Sequence, residues 1–153
     1  MELAEQLITS FIASAAFGVI FNAPKNSLVQ CGLVGMAGWG LYFWIAEQGM
    51  NSIVATLAAA FVVSVISQSF AKRYKTPVII FNVAGIIPLV PGGLSYDAMK
   101  HFVENDYYKA VELAAKVFML AGSIALGLML AEVLRQVIAK VHKRNERAGG
   151  KQP

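Results

Sequence analysis

Four stretches of this chain, Leu3–Phe21, Ser27–Ala46, Ile53–Ala71 and Leu113–Ile138, are almost wholly apolar and of bilayer length. About 20 such residues, wound as helix, cross the hydrocarbon core of a membrane. Composition agrees: 57% of residues are hydrophobic and 14% charged, where a soluble domain carries about a quarter charged. A mean hydropathy of +0.58 points the same way. The net charge of +4 sits at the edges of the apolar runs, a placement that suits membrane topology and not nucleic acid. The first run begins with Glu2 and Glu5 and no Lys or Arg. A secretory leader begins with positive charge, so this run reads as a retained helix. The expected fold is an all-α integral membrane protein of about five transmembrane helices. Residues 1–140 form the helical domain and 141–153 a basic cytoplasmic tail, its last residues disordered.

The remaining crossing is unusual. Val78 to Tyr96 is apolar enough for a bilayer, yet Asn82, Gly85, Pro88, Pro91, Gly92 and Gly93 interrupt it. Proline removes a backbone donor and glycine loosens the chain, and a continuous helix needs neither here. Broken backbone at membrane depth persists only where protein buries it or water reaches it, and such breaks often mark where a solute is handled. The competing reading is that Pro91-Gly92-Gly93 is the exit turn of a short helix. Val78–Val90, short for a crossing, either spans or re-enters. Beyond it, Ala98, Phe102, Val103, Tyr107 and Val111 fit one face of an amphipathic helix lying at the interface.

Loop charge orients the chain. Lys25, the Lys72-Arg73-Tyr74-Lys75 run and the basic tail fall on one side under five crossings, and the Gly93–Glu112 loop, with four acidic and two basic residues, on the other. By the positive-inside rule the N-terminus is outside and the C-terminus cytoplasmic. Gly32, Gly35 and Gly38, with Ala55/Ala59 and Ser123/Gly127, are small-residue series that let membrane helices approach closely. They predict a packed bundle, and the small helix count predicts a partner chain or a homo-oligomer.

No catalytic constellation is visible. His101, His142 and Cys31 are far apart in sequence, so no metal site is expected, and no cofactor or enzymatic activity. Glu132 and Arg135 read as a helix-surface pair, with a proton-relay role for Glu132 as the alternative. The candidates for solute contact are Asn22, Lys25 and Asn26 at the first turn, Asn82 inside the broken segment, and the break itself, Pro88, Pro91, Gly92 and Gly93. An amide in hydrocarbon needs a partner, and its donors and acceptors suit a zwitterion or carboxylate. Lys25 would attract an anion, although a topogenic lysine looks the same. Gln68 is a weaker candidate.

The run FGVIFNAPKNSLVQCGLVGMAGWG, followed about fifty residues on by AGIIPLVPGGLSYDAM, resembles the threonine/serine exporter family, specifically the short membrane subunit corresponding to the C-terminal half of the full-length exporters. The resemblance covers most of the chain from Phe17 onward. Phe21, Asn22 and Pro24 match the family's Phe-Asn-x-Pro element, and Pro88, Pro91 and Gly92 its Pro-x-x-Pro-Gly element. The resemblance implies a two-component exporter in the bacterial inner membrane, working with a separate longer chain that carries the N-terminal half. Its solutes would be threonine and serine, or small dicarboxylates such as succinate, moved by an ion gradient. The alternative is a non-transporting membrane scaffold whose partner alone makes the pathway.

Overall fold

The computed structural model describes residues 3–149. Six α-helices run in order: α1 Leu3–Ile20, α2 Leu28–Glu47, α3 Ser52–Tyr74, α4 Val78–Ile86, α5 Gly92–Val103 and α6 Tyr107–Gly149. Each expected apolar run is helical, and the protein is an all-α membrane protein. Four helices are long and apolar enough to span. Val78–Leu89 and Gly92–Val103 qualify together as a fifth, bent by 54°.

The helix ends follow from local chemistry. α1 stops at Asn22, whose positive φ of 54° turns the chain left-handed. Ala23 N–H then donates to Gly18 O at 2.9 Å and Asn22 N–H to Val19 O at 3.0 Å, a Schellman closure of the last turn. The Asn51 side chain opens α3 by accepting from Ile53 N–H at 3.0 Å, a standard N-cap arrangement.

Packing places α2 and α4 at the centre, with α1 on one flank and α3 on the other. α1 and α2 are antiparallel, and the glycines set how closely they approach. A Cβ on Gly32 would lie 2.6 Å from the Phe11 ring, and one on Gly35 would collide with the Ser14 hydroxyl. Gly38 and Gly85 lie against Val63, so α2, α3 and α4 meet there. Val34, Ala59, Ala60, Val63, Leu89 and Ile124 form the main core. A second cluster joins Cys31, Ala71, Phe81 and Ala84. α6 lies along α3 and runs the same way, with Gly127 so close that a Cβ would stand 2.7 Å from Leu57 O. The small-residue series therefore sit at helix contacts, as expected. The outward faces are apolar, with Ile8, Ile12, Phe118, Met129 and Val133 all exposed.

Two expectations about the C-terminal third are corrected. The amphipathic stretch is not one helix. Ala98, Phe102 and Val103 belong to α5, while Tyr107 and Val111 belong to α6. Asn105, at φ 64°, breaks the run. Asp106 N–H donates to His101 O at 2.9 Å, closing α5, and the Asp106 carboxylate accepts from Lys109 N–H at 3.2 Å, opening α6. The result is a helical hairpin, sealed by Phe102 against Tyr107 at 5.3 Å between ring centroids. The final helix is also longer than Leu113–Ile138. It extends to Gly149, through the basic stretch, because no proline or glycine stands between Gly127 and Gly149 to stop it. At 43 residues it is about 64 Å long, some twice the hydrocarbon thickness. The disorder expected of the last residues concerns positions 150–153, outside the described residues.

Candidate functional site

The break in the fourth segment is built in three steps. α4 tightens into a single 3-10 turn over Ile87–Leu89, with Pro88 inside it. Val90 is extended. Pro91, at φ −76° and ψ 55°, then makes an inverse γ-turn, in which Gly92 N–H donates to Val90 O at 2.7 Å. α5 starts directly from that turn. Ser95 N–H and its hydroxyl both return to Pro91 O, at 3.1 and 2.9 Å.

This backbone does not pack away. Pro88 to Leu94 line a cavity of about 250 Å³ together with Trp39, Tyr42, Thr56 and Leu120. Gly92 and Gly93 face open space, with nothing within 4 Å of where a Cβ would stand. A second cavity of about 400 Å³ lies on the α1 side, lined by Gln6, Thr9, Ser10, Ala13, Trp39 and Pro88. Trp39 and Pro88 line both. The Trp39 indole N–H donates to Gln6 Oε1 at 3.1 Å, and its ring leans on Tyr42 at 5.2 Å between centroids. Among the described residues no charged side chain lines either cavity. The charge nearest to hand is partial: the first turn of α5 opens onto the smaller cavity, and a helix N-terminus carries unpaired N–H groups and the positive end of the helix dipole.

The sequence candidates do not form one constellation. Pro88, Pro91, Gly92 and Gly93 share the break cavity. Asn22, Lys25 and Asn26 are exposed in the α1–α2 turn. Leu28 starts α2 beside that turn and Trp39 comes eleven residues later, so the break lies about 17 Å away along the bundle. Asn22 is accounted for there by the closure of α1. Asn82 lies between, six residues before Pro88 and so about 9 Å away along α4. It is half-buried, and its Oδ1 is buried without a hydrogen-bond partner. Its neighbours on α4 reach α3, Phe81 through Phe70 at 6.1 Å between centroids and Gly85 through Val63. On α3 the Ser67 hydroxyl, between those two contacts in sequence, is likewise buried and unpartnered. Gln68 reaches only Ser64 Oγ, at 3.5 Å. Glu132 is engaged with Arg135, whose Nε donates to Oε2 at 2.9 Å, and with Gln136 at 3.1 Å, the surface pair read from the sequence. Cys31 Sγ is 3.9 Å from Ile80 O. Among the described residues no three of His, Cys, Asp and Glu come together as a metal would require.

Gln6, Ser10 and Trp39 were not singled out from the sequence. A signal existed: Gln6, Ser10 and Ser14 recur every four residues in an apolar helix, which puts them on one face. Ser10 and Ser14 are buried.

Helices broken over a cavity recur in the solute-handling sites of polytopic membrane proteins. The sequence profile described as Threonine/Serine exporter, ThrE, matches residues 6–134. The chain belongs to the threonine/serine exporter family. No solved structure matches the chain.

Proposed function

We propose that this protein is the membrane subunit of a two-component exporter, moving threonine, serine or a small dicarboxylate such as succinate outward across the bacterial inner membrane under an ion gradient. The observation that carries the reading is the open cavity at Pro88–Gly93, where broken backbone faces space rather than packed side chain. An exit turn alone needs no cavity. The α5 N-terminus on that cavity offers N–H groups and positive potential to a carboxylate, the one group these solutes share. Tyr42 and Thr56 also line the cavity, the Thr56 hydroxyl being spent as a donor to Ser52 O at 2.7 Å.

The orientation is N-terminus outside and C-terminus cytoplasmic, because Lys25, Lys72, Arg73 and Lys75 gather at one end of the bundle. The break then opens near the outer face. Exposed Tyr96, Met99, Phe102, Val103 and Val111 on the α5–α6 hairpin leave apolar surface for the longer partner chain or for a second copy. The test is export of radiolabelled threonine, serine and succinate from cells expressing this chain with and without its companion. Export that needs both chains is the expected result. Export by the companion alone would make the protein a scaffold.

A further inference from the structure

The two cavities share a wall. Trp39 on α2 and Pro88 on the broken segment form the wall common to the break cavity and the α1 cavity. The two faces of that wall are unequal. Pro88 is part of the backbone, its ring fixes φ, and it has no N–H to offer. The Trp39 side chain turns about two bonds; it rests against the main core and Tyr42, and the polar contact that fixes its indole N–H is the 3.1 Å hydrogen bond to Gln6 Oε1. An indole N–H in an apolar seam needs an acceptor, and Gln6 stands on a different helix, 33 residues earlier.

We infer that Trp39, latched by Gln6, is the gate between the break cavity and the α1 cavity, and that the solute passes when the indole swings. This rests on the transport reading above. Space exists on both sides for the movement, about 250 Å³ and about 400 Å³. The latch is one neutral hydrogen bond, which thermal motion breaks and a polar solute can replace. A hydroxylated or amide-like group entering the α1 cavity meets Gln6, Thr9 and Ser10. By bonding Gln6 it competes with the indole, so arrival of the solute itself releases the gate.

The gate and a merely structural tie predict opposite signs. If the Gln6–Trp39 bond only holds α1 to α2, cutting it loosens the bundle and slows transport. If it latches a gate, cutting it speeds exchange. The experiment compares wild type, Gln6→Leu and Trp39→Phe, the last keeping an aromatic plug while losing the N–H. Each is assayed for exchange of labelled threonine, serine and succinate in membrane vesicles from cells carrying the chain and its companion, scaled to the amount inserted. In parallel, Trp44→Phe leaves Trp39 as the chain's sole tryptophan, and acrylamide quenching of its emission reports how far the ring is exposed. Gln6→Leu and Trp39→Phe should exchange at least twofold faster than wild type, and Gln6→Leu should raise quenching of Trp39 at least twofold. Exchange that is unchanged or slower in both variants, beside an active wild type, overturns the gate whatever the quenching does. A wild type that exchanges none of threonine, serine and succinate takes down the transport reading, and the gate with it.

Discussion

Asn82 carries a side-chain oxygen shut away from water with nothing to bond to, in the short helix that leads to the break. Leaving a buried polar group unpaired costs about 1–3 kcal/mol, and replacing it by an apolar group of similar shape recovers much of that. Asn82→Leu should therefore leave the protein inserted and at least as resistant to heat in detergent, while export is abolished. Undiminished export with raised stability would make Asn82 a tolerated polar residue and remove it from the pathway. Asn22 makes the contrasting case. Its left-handed backbone is what ends α1, a conformation glycine adopts freely and β-branched residues resist. Asn22→Gly should be near neutral, and Asn22→Val should destabilise by about 1–2 kcal/mol, with export per inserted molecule unchanged in both. A thermal melt scored beside an export assay separates the two roles. Loss of export in Asn22→Gly at normal stability would restore Asn22 as a solute contact.

The elements show how far the sequence could be followed. Apolar runs bounded by Asn-Ala-Pro-Lys, Gln-Gly-Met-Asn and Lys-Arg-Tyr-Lys placed α1 to α3 closely, because run length and breaker residues are local properties. The break was legible for the same reason: two prolines and two glycines within six residues have no use in a straight helix. The α5–α6 hairpin was missed, although Glu104-Asn105-Asp106 holds both a left-handed residue and a helix cap. The continuous apolar spacing across it concealed the reversal. The gating pair was not legible at all, since the register of α1 against α2 decides that Gln6 meets Trp39. That register rests on Gly32 and Gly35, and a further glycine of α2, Gly38, sets its approach to α3. Gly38→Val would force a side chain into Val63, and overpacking of this kind costs typically about 1–3 kcal/mol. A lowered melting temperature and less inserted protein are expected. A variant as stable as wild type would mean that α2 and α3 do not pack at Gly38.

The molecule as a whole is a bundle with one end reinforced and the other open. At the basic end, with the Gln30 amide set to suit its neighbours, its nitrogen donates to Asn26 O at 2.7 Å and its oxygen accepts from the Tyr74 hydroxyl at 3.1 Å, tying the first turn to α3. At the other end the broken segment leaves a cavity, and the α5–α6 hairpin extends α6 beyond the start of α3. Thr56 and Leu120 line the same cavity, yet α3 begins four residues before Thr56 and α6 thirteen before Leu120. The hairpin end of α6 therefore stands about 13 Å further out. A solute pathway through this molecule requires water and solute to reach the break. Cys31 is the chain's sole cysteine, so Cys31→Ser with Gly93→Cys puts one thiol at a position with open space around it. In intact cells a membrane-impermeant thiol reagent should label it, and excess threonine, serine or succinate should slow the labelling at least threefold. A thiol that stays unlabelled, or is labelled at the same rate with every solute, would contradict a solute pathway at the break.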